Sequence, residues 1–229
     1  MDHLGNTEKM HSFIVNVDAF PPSTNLTVGE PHTENPLFVK SLTPFQFISS
    51  DTGNCTTGVK AKWYRIWSIY GGWTDWMMFH PLVSITGGIP IVHGEGLHYI
   101  EFYSEDFVGN IEDTHNITCY VDDTPPKSRA YCMYPRYIYI EAEDIGRGEL
   151  MPAVGGCRIH YRYKVGNENW TEWNVSENEV VIIHLTWPDN VFPVDKPIHV
   201  EYYAVDALGN KEDLHHDTFT IESNKKPNP

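Results

Sequence analysis

No run of eighteen apolar residues occurs in this chain, so nothing in it reads as a membrane-spanning helix and no membrane insertion is expected. Basic residues are scarce, with 16 Lys and Arg against 31 Asp and Glu, a formal net charge of −15. A surface of that sign repels a phosphate backbone, which excludes nucleic acid as a partner and favours solubility. It also suits divalent cations or a salty medium, without choosing between them. Catalytic signatures are missing: there is no HExxH, no GxSxG and no P-loop. The four cysteines contain no CxxC pair, which argues against a structural zinc site. Helical periodicity is absent too, and apolar residues recur at every second position of short runs. No enzyme, no cofactor and no metal ion is expected from these absences. Hydrophobic residues at 41% and charged residues at 21% nevertheless mark a chain that folds.

What is present is a turn that occurs three times. Asp106-Phe107-Val108-Gly109-Asn110-Ile111-Glu112 returns 100 positions later as Asp206-Ala207-Leu208-Gly209-Asn210-Lys211-Glu212, and stands 104 positions earlier as Asp2-His3-Leu4-Gly5-Asn6-Thr7-Glu8. Each copy carries a His three places after its Glu: His11, His115 and His215. Asp at the end of a strand can accept from the N–H groups just ahead of it, while Gly-Asn tolerates the positive φ that reverses a chain. Upstream, Tyr99-Ile100-Glu101-Phe102-Tyr103-Ser104 and His199-Val200-Glu201-Tyr202-Tyr203-Ala204 are rich in β-branched and aromatic residues. Downstream, Ile117, Cys119 and Val121 alternate with polar neighbours, as do Phe219 and Ile221. The motif therefore predicts a hairpin.

Asp18-Ala19-Phe20-Pro21-Pro22 is matched at the same offset by Asp122-Asp123-Thr124-Pro125-Pro126, and a Pro-Pro pair ends one strand and stiffens the passage to the next unit. The chain divides accordingly. Residues 1–17 read as the terminal hairpin of a preceding partial repeat, and so as a sign that the chain is a fragment of a longer protein. Residues 18–122 and 123–224 are full repeats, and 225–229 are a polar tail. Strands are predicted at residues 37–39, 45–48, 59–66, 82–85, 89–92 and 98–104 of the first repeat, and at 137–140 and 157–163 of the second. About seven short strands per repeat, broken by Gly and Pro, describe an all-β fold of two tandem antiparallel sandwiches.

A second motif aligns without gaps. Tyr64-Arg65 stands nine places before Trp73-Thr74-Asp75-Trp76, and Tyr161-Arg162 nine places before Trp170-Thr171-Glu172-Trp173. Three-residue spacing on a strand puts the two Trp of each pair on opposite faces, one in the core and one at an edge or a partner. Trp76 and Trp173 are the candidates for glycan stacking.

Together these residues carry a likeness. Pro-Pro, then Gly58-Val59 leading to Tyr64-Arg65, then Gly-Gly and Trp, then Gly96 with His98 and Asp106 through Glu112, resembles the immunoglobulin-like, fibronectin-type-III-like repeats of bacterial and archaeal secreted and cell-surface proteins. The resemblance covers nearly all of both full repeats. It implies a non-catalytic spacer, stalk or adhesion module, extracellular or at the cell surface. The partners it implies are neighbouring domains of the same polypeptide, with cell-surface proteins or glycans as further candidates; an accessory carbohydrate-binding module is the second reading. Two departures stand out: Lys62 falls where an apolar residue would face the core, its stem predicted to lie along an edge with the ammonium in water, and Gly155-Gly156 replaces a single Gly before the third strand.

In such a setting an even cysteine count favours one disulfide per repeat, Cys55 with Cys119 and Cys132 with Cys157. Four cysteines allow three connectivities, and Cys119 with Cys132 across the boundary, or four buried free thiols, stay open. Asn25, Asn54, Asn116, Asn169 and Asn174 begin Asn-x-Ser/Thr sequons that fit a glycosylated surface protein. Asp106, Glu112 and His115 have residue types suited to a divalent ion, but strand alternation predicts that Glu112 and His115 point apart. Asp is then a turn cap, and Glu112 belongs to a solvated strand.

Overall fold

The computed structural model describes residues 3–79, 88, 90–133, 137–185 and 196–220. Among them every regular element is a strand. In the first repeat β1 (Ser23–Val28), starting straight after Pro22, pairs antiparallel with β4 (Phe45–Ser50). The facing sheet is centred on β5 (Val59–Ser68), β8 (Gly96–Asp106) and β9 (His115–Val121), with the two-residue strands β2 (His32–Thr33), β3 (Phe38–Val39), β6 (Gly72–Trp73) and β7 (Met77–Met78) at its margins. In the second repeat β10 (Lys127–Met133), β11 (Tyr137–Glu143) and β14 (Val180–His184) form one sheet. The other contains β13 (Asn174–Ser176), β12 (Arg158–Val165), β15 (Pro197–Val205) and β16 (His215–Thr220).

Period-two alternation builds both cores. Along β15 Ile198, Val200, Tyr202 and Ala204 are buried, while their neighbours in sequence are only half-buried. Ile100, Phe102, Ser104 and Asp106 do the same on β8. Phe45, Phe47, Phe79, Ile100, Phe102 and Val121 pack in one apolar cluster, and Ile138, Ile140, Ile159, Val181, Ile198 and Val200 in a second that shares no residue with it. The architecture is thus an all-β sandwich fold.

Several details differ from the sequence-based reading. Residues 5–22 contain no strand, and the side chains from His3 to Val17 are exposed, so the hairpin expected over residues 1–17 does not form among the described residues. A lone hairpin has no sheet on which to bury an apolar face, and Met10, Phe13 and Ile14 lie open to water. Among the described residues one strand pair is parallel: Phe38 and Val39 lie alongside Tyr120 and Val121. The β3 strand reaches that edge through a loop and needs no crossover helix. The Lys62 ammonium is not simply in water; it donates to the Phe47 carbonyl at 2.7 Å and so ties β5 to β4 of the opposite sheet, while burial lowers its pKa. Residues 90–92 form no strand, although Ile91 and Val92 are buried. The strand expected at 82–85, together with Asp2, Ile221 and the 225–229 tail, lies outside the described residues.

Candidate functional site

Each repeated turn is built by its own aspartate. Asp106 Oδ1 accepts from the backbone N–H of Val108, Gly109 and Asn110 at 2.9, 2.7 and 2.8 Å, and Oδ2 accepts from the Asn110 side-chain amide at 2.7 Å. Asp206 takes the N–H of Leu208 and Asn210 and the Asn210 amide in the same way. Gly109 and Gly209 have φ of 95° and 81°, the left-handed region that lets the chain reverse. Burial works to raise the Asp106 pKa, but these donors outweigh it and hold the carboxyl below its ordinary value.

The asparagine of each turn reaches back to the boundary ahead of its own repeat. Asn110 Nδ2 donates to the Asp18 carbonyl at 3.2 Å, and Asn210 Nδ2 to the Asp122 carbonyl at 2.9 Å. Glu112 extends the same clasp. It is buried and accepts from the Thr24 N–H and hydroxyl at 2.9 and 2.5 Å and from the Ser104 N–H and hydroxyl at 2.7 Å each. Glu212 takes the N–H and hydroxyl of Ser128 and the Ala204 N–H. The expectation of a solvated Glu112 is therefore corrected. So is its divergence from His115, whose Nε2 lies 3.1 Å from Glu112 Oε2, as His215 lies 3.1 Å from Glu212. Alternation failed because Glu112 precedes β9, and a loop residue does not follow the strand period. Burial pushes the Glu112 pKa up, but donation from Thr24, Ser104 and His115 prevails and lowers it.

At the start of each repeat the turn aspartate meets two others. Asp18, Asp51 and Asp106 each place a carboxylate oxygen within 4.8 Å of the others, and Asp122, Asp144 and Asp206 do the same. Asp18 Oδ2 accepts from the Thr57 N–H and hydroxyl, and Asp51 Oδ2 from the Gly58 N–H at 2.6 Å. In the second trio Asp122 Oδ2 accepts from Val154 N–H and Asp144 Oδ2 from Gly155 N–H, both at 2.8 Å. Burial first, then the charges of Asp122, Asp206 and Glu95, push Asp144 up to about 6; burial with Asp206 and Asp123 raises Asp122. Asp51 and Asp144 were not picked out from sequence, because they lie at different distances from the strands that follow them. The matching Asp18 and Asp122, however, could have been found from the boundary repeat.

The Trp motif has a different geometry from that expected. The Arg65 guanidinium lies 4.5 Å from the Trp73 ring centre and 4.8 Å from that of Trp76; Arg162 lies 4.9 and 4.8 Å from Trp170 and Trp173. Both Trp of a pair thus share one cation, with neither in the core. Only Trp73 belongs to a strand in the first pair, so the two-residue period has nothing to act on. Cross-strand Glu101 and Glu201 complete the stacks, each 2.6 Å from its Arg. Trp73 and Trp173 are the exposed members, while Trp76 packs edge-on against Tyr103.

All four thiols are free: Cys119 and Cys157 are buried, and Cys55 and Cys132 are exposed. The expected pairs are not formed, because in each repeat one cysteine faces the core and the other faces water. Burial pushes both buried thiols up to about 12. The sequon residues Asn25, Asn54, Asn116, Asn169 and Asn174 are all exposed.

The two repeats meet through more than the Pro-Pro link. Leu97 N–H donates to the Leu150 carbonyl at 2.7 Å, and Glu95 Oε1 takes the Asp123 N–H and the Thr124 hydroxyl. A side chain on Gly96 would meet Leu150 O at 2.6 Å and Met151 Cγ at 2.8 Å, so glycine is what lets this loop of the second repeat dock on the first.

No protein-family model matches this chain, and no curated protein does. Solved structures resemble it. A two-domain fibronectin type-III segment of chicken tenascin shares 10% identity with a TM-score of 0.33, covering 88% of this chain and 99% of that one. The FN1–FN3 domains of chicken CNTN1 share 9% with a TM-score of 0.36, over 90% of this chain and 68% of that one. The BSP domain of a biofilm-associated protein shares 10% with a TM-score of 0.28, over 88% of this chain and 30% of that one. None of these likenesses bears on activity. Among the described residues no helix is long and apolar enough to cross a membrane.

Proposed function

We propose that the chain is a non-catalytic extracellular spacer or adhesion module whose two sandwiches, residues 18–122 and 123–224, act as linked struts within a larger surface or secreted protein. The observation that carries this reading is the docked junction, where Leu97 bonds Leu150 and the loop fills the space that a side chain on Gly96 would take. Two separate cores joined by main-chain contacts suit transmission of position better than turnover of a substrate. Five exposed sequon asparagines support the extracellular setting. The Trp faces support glycan binding less well, since a guanidinium already lies against each.

Small-angle scattering tests the reading. The wild-type chain is expected to scatter as one rigid elongated particle, and Gly96→Val, which blocks the docked loop, as two flexibly joined bodies. Flexible scattering from the wild type itself would overturn the strut, as would hydrolysis of a test substrate. Glycan-array binding that disappears on Trp173→Ala would replace it by a carbohydrate-binding module.

A further inference from the structure

We propose that Asp18, Asp51 and Asp106 form a binding site for a hard divalent cation of the calcium class, against the expectation drawn from the turn alone. One oxygen from each carboxylate lies within 4.8 Å of the others, a separation that neighbouring oxygens around one ion at roughly 2.3–2.6 Å can adopt. The hydrogen bonds already made leave a defined gap. Asp106 Oδ1 is occupied by three backbone N–H groups and its Oδ2 by the Asn110 amide, Asp18 Oδ2 by Thr57 and its Oδ1 by the Phe20 N–H at 3.4 Å, and Asp51 Oδ2 by Gly58. Asp51 Oδ1 is shut off from solvent and has no hydrogen-bond partner. It is the only side-chain oxygen or nitrogen among the described residues in that state. A buried carboxylate oxygen without a donor is costly, and a cation is the partner that removes the cost for all three charges at once.

No basic side chain does so instead. Among the described residues, the ion pairs of Lys60, Arg65, Arg129 and Arg162 all go to other carboxylates. The donors around the trio are neutral amides and hydroxyls. An all-oxygen set without His or Cys selects a hard ion over zinc or copper. Mg²⁺ demands near-ideal octahedral geometry and holds its waters, so a trio fixed by backbone hydrogen bonds favours the larger, more tolerant Ca²⁺. The corresponding trio of the second repeat shows that the arrangement goes with the repeated turn and boundary. The site rests on these residues whether or not the chain serves as a spacer.

The test uses the full chain, stripped with EDTA and dialysed, and titrated with CaCl₂ in a calorimeter. Asp144→Asn is placed in every sample to disable the second trio. The expected result is saturable binding with Kd of about 10⁻⁵ to 10⁻³ M, weakened at least tenfold when Asp51→Asn is added, and a Ca²⁺-dependent rise in melting temperature that the same change abolishes. Asparagine keeps an oxygen for the Gly58 N–H and puts an amide in place of the unpartnered oxygen, so the variant should melt in EDTA no lower than its parent. If it melts lower, Asp18→Asn is read in its place by the same criteria. No saturable uptake up to about 10 mM, or titrations unchanged by the substitution, would overturn the site.

Discussion

The turn at Asp206 and the turn at Asp106 share a sequence pattern and a hydrogen-bond pattern, and differ in their cover. Leu208 is 4% exposed where its counterpart Val108 is 58% exposed, and Asn210 is buried where Asn110 is half-buried. The boundary residue Asp122 is likewise buried and held by Val154 of the docked loop, whereas Asp18 follows a stretch whose side chains are all open to water. The same local chemistry thus sits in two dielectric settings. Donors lower the pKa of the turn and clasp groups Asp106 and Glu112 in the first repeat, while burial and neighbouring carboxylates raise the boundary and loop groups Asp122 and Asp144 in the second. The motif determines the geometry of the turn, and the cover around it differs between the copies.

The largest expected effect separates the two clasps. Glu112→Ala strands the Thr24 and Ser104 N–H groups in the core and should destabilise the first sandwich by about 3 kcal/mol, because each buried donor left unpaired costs ~1–3 kcal/mol. Glu212→Ala should cost the second sandwich less, about 2 kcal/mol, since Ser128 is only half-buried and can recruit water. Scanning calorimetry resolves the two transitions. Equal losses, or a loss spread over both transitions, would show that the clasp couples the units instead of closing each one.

A smaller effect is a difference in response to acid, measured in EDTA. For Asp144 the folded pKa, about 6, exceeds the ordinary 3.8, so between those values the folded state binds more protons than the unfolded state. Stability from this group falls as pH rises from 4 to 6, and the second transition should move down in temperature over that window. Glu112 runs the other way: its folded pKa lies below 4.5, so its contribution is present above that value and is lost as pH falls through the lower one. Asp144→Asn should raise the second transition at pH 7 and flatten its dependence between pH 4 and 6. An unchanged profile would mean that the acidic trio carries no net repulsion.

What was legible in the sequence was local. The Asp106 cap, the Gly109 reversal and the alternation of β8 and β15 each depend on residues a few places apart, and each is seen in the structure. The Glu112 clasp joins residues 88 apart, Thr24 and Glu112, and no spacing rule announces it. The Trp pairs misled because a period of two was applied to a segment where the strand lasts two residues. The acidic trios combine a repeated boundary, a repeated turn and one aspartate at an unrepeated distance. Two of the three residues were legible, and the third depends on how the 51–58 and 144–156 loops fold back.

The smallest expected effect tests the claim that cover does not reach the turn backbone itself. A Cβ added at Gly109 or at Gly209 meets nothing within 4 Å, so space is not at issue in either copy. What remains is φ, 95° and 81°, where an L side chain costs about 1 kcal/mol relative to glycine. Gly109→Ala should therefore lower the first transition, and Gly209→Ala the second, by the same ~1 kcal/mol, despite the different burial of the neighbouring Val108 and Leu208. The calorimetric traces used for the clasp variants read this directly. A second transition that drops much further than the first would show that the covering residues crowd the turn, and that the two copies differ in backbone environment as well as in charge.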